Sequence, residues 1–181
     1  MSSLKTKLSA AMLALIAAGA SAPVLLDQFL IEKEGFRLVA YKDGVGIWTI
    51  CDGLTTYQGQ KVVAGMRLTA EQCRTESSRR HKEALSWLQR NINPAVYVTL
   101  TEPQKVGVAS FCYWNLGPGK CTTKTTFWPR LNAGDKKGAC ESIKWWIKDQ
   151  GRDCRIRSNN CYGQVERRDQ ESELTCWGLD G

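Results

Sequence analysis

The polarity pattern of this chain changes sharply near residue 26. Leu8 to Leu26 is nineteen residues without a charge, whereas charged and apolar positions alternate throughout the remainder. Over residues 24 to 34, Leu26, Phe29 and Leu30 recur on one face of a short predicted helix, and Gly35 follows as its C-terminal stop. Leu38 to Lys42 and Ile47 to Cys51 have strand chemistry, with Asp43-Gly44-Val45-Gly46 as the turn between them. Cys51 to Gly65 reads as loop, with a third short strand at Lys61 to Ala64. Thr69 and Gln72 form a capping box for a helix that reaches about Asn91 and stops before Pro94. Thr101 with Gln104 opens a second, to about Asn115, ended by Gly117-Pro118-Gly119. Further helices are expected over Thr123 to Asn132, from Asp135 to about Lys148, and over Gln164 to Trp177. Gly151 to Gly163 is a polar loop. The pattern describes an α+β fold, mostly helical, with a small N-terminal β-hairpin sheet.

The uncharged run follows Lys5 and Lys7. As one helix it would span roughly 28 Å, close to the thickness of a bilayer core. Basic residues before an apolar run also make an export signal. Ala20-Ser21-Ala22 resembles a cleavage site, but Pro23 is expected to block cleavage after Ala22. Seven of the nineteen residues are Ala, and Gly19, Ser9, Ser21 and Pro23 weaken the run further. Ala and Gly add little to insertion, so the segment is long enough to span and only marginally held. A cleaved signal and a soluble core helix are the alternatives. The expected division is an export or anchor segment at 1–26 and a single domain at 27–181.

Composition narrows the compartment. Eight Cys, none in a Cys-x2-Cys pair, accompany a single His, His81. Metal sites need clustered Cys and His, so no metal and no cofactor are expected. Four disulfides in an oxidising compartment are. The spacing does not fix their pairing. A working set joins Cys154 to Cys161 across a short polar loop and Cys112 to Cys121 across the Gly-Pro-Gly turn. It leaves Cys51–Cys73 and Cys140–Cys176. Net charge is +7, which favours anionic surfaces. No nucleic-acid-binding motif accompanies it, so the anionic bacterial envelope is the better partner and nucleic acid is not expected. The seven Trp are assigned first to the core, with some available to line a cleft.

Glu34 at a helix end, Asp43 at a hairpin turn and Thr49 on the returning strand could face one cleft. Glycoside hydrolysis needs two carboxyl groups in different protonation states, one a neutral acid for the leaving oxygen and one ionised. On spacing alone, a solvated helix-end Glu and a turn Asp are the better description of the same residues.

The wider context alters that balance. EGFRLVAYKDGVGIWTI at 34–50 places Glu34, Asp43 and Thr49 beside Tyr41-Lys42 and Trp48. It closely resembles the catalytic segment of the phage-type lysozymes, the endolysins related to phage T4 lysozyme. Phe111 to Asn115 with Gly117, FWPRLNAGD at 127–135, and Arg167-Arg168 with Glu171 resemble later elements of that family. The likeness spans roughly residues 29 to 181. It implies a lysozyme-like fold with the hairpin beside a catalytic cleft, and a muramidase acting on peptidoglycan. Glu34 would be the general acid, Asp43 the base that holds or activates water, and Thr49 a group that positions that water. An inverting reaction is implied, with the carboxyls roughly 6.5–9.5 Å apart. The weak N-terminal run resembles the signal-anchor-release subclass. Such a protein is exported, held inactive at the periplasmic face of the host inner membrane, then freed into the periplasm, and is expected to act as a monomer.

Some positions depart from the family pattern. Cys51 and Asp52 replace a glycine-rich run, Gln164 stands where an apolar residue is common, and Cys112, Cys121, Cys154 and Cys161 are additions. Arg167 or Arg168 could orient Glu34, or either could be structural. His81, among Arg79, Arg80, Lys82 and Glu83, reads as part of a solvated face. A lytic transglycosylase and a catalytically inactive, membrane-tethered wall-binding protein are the rival functions.

Overall fold

The computed structural model describes residues 6–179; Lys5 of the basic flank lies outside the described residues. Ser9 caps a first helix, α1 (Ala10–Ala17), its hydroxyl accepting from the Met12 amide. Gly19, at φ +71°, turns the chain. Pro23 then sits in the first turn of α2 (Ala22–Glu34), where its missing N–H leaves no bond unmade. The uncharged run is thus two helices with a turn between them. No helix among the described residues is long and apolar enough to cross a membrane. Leu8 and Met12 fold back beside Leu25, Leu26, Phe29 and Leu30, and all are buried against Ala84, Val106, Ala109 and Leu174.

Gly35, at φ +73°, ends α2 and leads directly into β1 (Arg37–Lys42), antiparallel to β2 (Trp48–Cys51). Three residues of β1 oppose one of β2 between the pairs Arg37–Cys51 and Tyr41–Thr49. The bulged residues find other partners: Ala40 N–H donates to Met66 and Leu68 N–H to Leu38. The third strand lies earlier than its sequence suggests. β3 (Thr56–Tyr57) pairs with β4 (Gln60–Lys61), because Gln58 and Gly59 both take positive φ and so form the tight hairpin turn that sets the register.

The longest helix, α3 (Ala70–Asn91), starts at the expected capping box, with both reciprocal hydrogen bonds of Thr69 and Gln72 formed. A short α4 (Pro94–Tyr97) precedes α5 (Glu102–Ala109), which opens at the second capping box. The chain does not continue as α-helix to Asn115; it widens into a π-helix over Ser110–Leu116. Pro118 opens α6 (Pro118–Lys124), so the Gly-Pro-Gly stretch starts a helix as well as ending one. α7 (Phe127–Asn132) is correspondingly shorter than expected. Asp135 caps α8 (Lys136–Ser142), which gives way to a 3₁₀ turn at Ile143–Trp145 rather than running to Lys148. A small hairpin, β5 (Lys148–Asp149) with β6 (Arg152–Asp153), starts just before the polar loop and runs into it, ahead of α9 (Tyr162–Thr175).

Phe111, Phe127, Leu131 and Ile143 centre a core in the later helices, and Trp87, Trp128 and Trp146 pack on it. Ile50, Leu54, Val62 and the half-buried Trp48 form a smaller one under the hairpin. Trp145 is 58% exposed. Four disulfides join Cys51–Cys73, Cys112–Cys121, Cys140–Cys176 and Cys154–Cys161, the working set.

Candidate active site

Glu34 is the last residue of α2, and its side chain is 26% exposed. Arg167 on α9 donates Nη1 to Glu34 Oε1 at 2.5 Å and Nε to Glu171 Oε1 at 3.2 Å. Ser110 Oγ donates to the same Glu171 oxygen at 2.6 Å. Burial opposes the charge on Arg167, but the carboxylates of Glu171 and Glu34 outweigh it and hold its pKa above the ordinary value. One guanidinium therefore fixes the carboxyl at the end of α2. Arg168 serves a different purpose. It is wholly buried, with Nη2 2.9 Å from Glu171 Oε2 and its guanidinium over the Phe111 ring at 5.1 Å. Burial lowers its pKa despite Glu171, with Arg167 adding to the effect.

Asp43 and Thr49 are brought together through one residue. Asp43 Oδ1 accepts from Val45 N at 3.0 Å and from Ile47 N at 2.8 Å, while Asp43 N donates to Ile47 O at 2.9 Å. Thr49, only 3% exposed, donates its hydroxyl to that same Ile47 carbonyl at 3.1 Å. The hairpin turn thus ties both side chains to one residue, Ile47. Tyr41 pairs with Thr49 across the strands. Burial and then the charge of Glu34 raise its phenol pKa, with Arg37 opposing and Asp43 and Asp52 adding.

The turn after β2 closes against Glu34. A Cβ on Gly53 would stand 3.4 Å from Glu34 Cγ and 3.6 Å from the indole nitrogen of Trp114, and φ is +103°. Glycine is favoured there by its backbone conformation, while a Cβ would make ordinary contact with Glu34 and Trp114.

His81 contradicts the solvated-face expectation. Its side chain is 1% exposed and lies between Asp27 and Asp52. The signal was in the helix register: His81 falls in the stripe of Cys73, Ser77, Ala84 and Leu88, all buried on α3, and not with its charged neighbours. Asp27 and Asp52 carried no comparable signal.

The family model described as phage lysozyme matches residues 31–171. A SAR-endolysin of Escherichia phage 933W is 63% identical over 177 residues, covering 98% of this chain and 97% of that one. A probable prophage lysozyme of Escherichia coli (strain K12) is 64% identical over 173 residues, covering 96% and 95%. Among solved structures, an endolysin from Escherichia coli O157:H7 phage FAHEc1 superposes with a TM-score of 0.67 at 28% identity, covering 87% of this chain and 92% of that one.

Proposed function

The chain belongs to the phage lysozyme family of glycoside hydrolases, and from that premise we propose that it is an endolysin. It hydrolyses the β-1,4 bond between N-acetylmuramic acid and N-acetylglucosamine in peptidoglycan, to lyse the host cell and release phage. The observation that carries this reading is the placement of Glu34. It is a half-buried carboxyl on a helix end, fixed by Arg167, beside a hairpin whose turn orders Asp43 and Thr49 on a single residue. Glu34 protonates the leaving oxygen, Asp43 holds the attacking water as base, and Thr49 positions that water. An acid paired with a base that acts on water, rather than with a carboxylate that attacks the sugar, corresponds to an inverting hydrolysis. A lytic transglycosylase would make no use of Asp43 and Thr49.

Clearing of permeabilised cells by the wild type beside Glu34→Gln tests the assignment. Loss of an acid catalyst costs on the order of 10²–10⁴-fold, with the fold retained. Activity above about a tenth of wild type would reject Glu34 as the acid. Mass spectrometry of the digest should find reducing ends, and anhydro-muramic ends would favour the transglycosylase.

Control through the N-terminal segment is part of the same proposal. The 1–26 segment anchors the exported enzyme at the periplasmic face of the host inner membrane, and release delivers an active monomer to the periplasm. Two observations support this. Its run from Leu8 to Leu26 is uncharged yet weakly apolar, and in the described fold that run is packed into the enzyme body 27–181. Spanning and packing are mutually exclusive for Leu8, Met12, Leu25 and Leu26. The apolar side chains leave water in either state, so they favour neither strongly. The difference lies in the groove of Ala84, Val106, Ala109 and Leu174, which stays uncovered while the segment is in the bilayer. Docking covers it and adds polar contacts: Ser9 Oγ to Glu32 at 2.6 Å, Lys7 N to Glu173 at 2.7 Å, and Ala22 N to Glu102 at 2.6 Å.

A further inference from the structure

Cys73, Ser77 and His81 recur every fourth residue on one face of α3 and grip two consecutive residues, Cys51 at the end of β2 and Asp52 just beyond it. Cys73 is bonded to Cys51, Ser77 donates to Asp52 Oδ1, and His81 Nε2 lies 3.1 Å from Asp52 Oδ2. Asp52 is wholly buried. At the opposite end of the ring, Nδ1 contacts Asp27 Oδ1, and the other Asp27 oxygen accepts from Ser78 at 2.8 Å. Asp27 stands on α2, two turns before Glu34. Asp52 lies between Thr49 and Gly53, the glycine that closes on Glu34. Trp114 of the π-helix meets His81 edge-on, ring centroids 5.1 Å apart, and its indole nitrogen borders the same glycine. π-Helical segments occur often at functional sites.

This arrangement selects a protonation state. A neutral imidazole offers one N–H and one lone pair. With a carboxylate at each nitrogen, either neutral tautomer turns its lone pair onto a carboxylate oxygen. Only the imidazolium presents a proton to both. The Nε2–Oδ2 contact lies off the line of a hydrogen bond, so it acts chiefly through charge. The two carboxylates sit at opposite ends of the ring, which leaves no common point for a metal ion; none of the described residues form such a cluster.

We propose that His81, as an imidazolium clamped between Asp27 and Asp52, is a positioning residue that holds the helix carrying Glu34 against the Asp52–Gly53 turn following Thr49. This rests on the roles given above to Glu34 and Thr49. Turnover is sustained while the ring is charged and falls when it is not.

The direction of the pH effect follows from the surroundings. Burial works against the charged ring, but the hydrogen bond of Asp27 on α2 and the negative charges of Asp27 and of Asp52 beyond β2 outweigh it and raise its pKa. Trp114 faces it uncharged, and on α3 Arg80 reaches away to Thr56. A raised histidine pKa gives a contribution fully present below the ordinary histidine value and lost as pH rises through the folded value. The clamp therefore sets the alkaline limb of activity.

His81 is the only histidine, so its ring protons can be titrated by NMR in the full chain without ambiguity. Asp27 is 36% exposed, and Asp27→Asn is chosen as the milder variant, with its fold checked by thermal melting. It should lower the ring's pKa and shift the alkaline limb of kcat on soluble peptidoglycan fragments to lower pH by the same amount, with KM little changed. In His81→Gln, kcat should fall on the order of 10–100-fold, and the limb should disappear. An alkaline limb that stays in place while the NMR pKa moves would overturn the proposal. So would a folded His81→Gln with wild-type kcat. Glu34→Gln separates the two readings: it should be inactive with the His81 titration unchanged. If it were active, the acid assignment would fail by itself, while the joint shift in Asp27→Asn would still be measurable.

Discussion

Arg167 and Glu34 are 133 residues apart in sequence, and their side chains meet at 2.5 Å. The contact ties the first long helix of the enzyme body to its last. It gives the candidate acid a fixed partner whose other edge is held by the wholly buried Glu171. Glu34 can therefore be aimed at a substrate without being free to rotate away from it.

Removing that partner should disarm the site before it unfolds the protein. In Arg167→Met, Glu171 keeps Arg168 and Ser110, so the expected loss of stability is about 1–3 kcal/mol, typical of one charged hydrogen-bonding partner. Lysis should fall much further. Arg167→Lys should not rescue it, because an ammonium cannot serve two carboxylates with a planar fork. Thermal melting beside cell clearing distinguishes these effects, and full activity in both variants would take Arg167 out of the site.

The Cys51–Cys73 bridge should matter for function, and Cys154–Cys161 much less. The first closes a separation of 22 residues and borders Asp52; the second closes 7 in a peripheral loop. Chain entropy assigns about 3 kcal/mol to loops near the first length. Replacing both Cys51 and Cys73 with Ala should lower stability by that order and reduce activity. The same change at Cys154 and Cys161 should leave activity close to wild type. Denaturant unfolding and clearing assays on the two double variants check this. Equal activities would argue against a special role for the β2 turn.

Anchoring can be strengthened without damaging the docked form. Ala14, Ala17 and Ala18 are exposed when α1 is packed on the body. Leu at each should favour membrane insertion by about 0.3–0.6 kcal/mol and disturb few packing contacts. The triple variant should remain in the membrane fraction and lyse late after depolarisation. If it is soluble and lyses on the wild-type schedule, the segment is a cleaved signal instead.

Docking of the N-terminal segment should loosen in acid. Burial raises the pKa of Glu102, but the hydrogen bonds from Lys105 and the Ala22 amide outweigh it and lower it overall. A lowered carboxyl pKa gives stability fully present above the ordinary glutamate value and lost as pH falls through the folded value. Protection of the Ala22 amide, measured against the intrinsic exchange rate at each pH, should therefore be lost as pH drops below the usual carboxylate range. Glu102→Gln should show fast exchange at every pH. An exchange rate for Ala22 that is the same in the variant would remove this contact from the docking mechanism.

Elements bounded by short-range chemistry were legible in the sequence alone. The two Thr/Gln capping boxes, the Gly35 stop and the Asp43–Gly46 turn are set by hydrogen bonds or backbone preferences within a few residues, and so are visible in a short window. Glu34, Asp43 and Thr49 stood out because such features frame them and because their surroundings resemble a known family. Tertiary structure decided everything that depends on a distant partner. Arg167 and Arg168 are adjacent and chemically alike, yet neighbouring helical positions point about 100° apart, so one reaches Glu34 and the other is enclosed beside Phe111. Gly19 and Pro23 divide the uncharged run into two helices locally, but that both pack into a groove of the body depends on residues far along the chain. His81 sits among charged residues in sequence, but its raised pKa follows from Asp27 and Asp52, 54 and 29 residues earlier in the chain. A buried charge is tolerated only where its partners converge, and that convergence exists only in the folded chain.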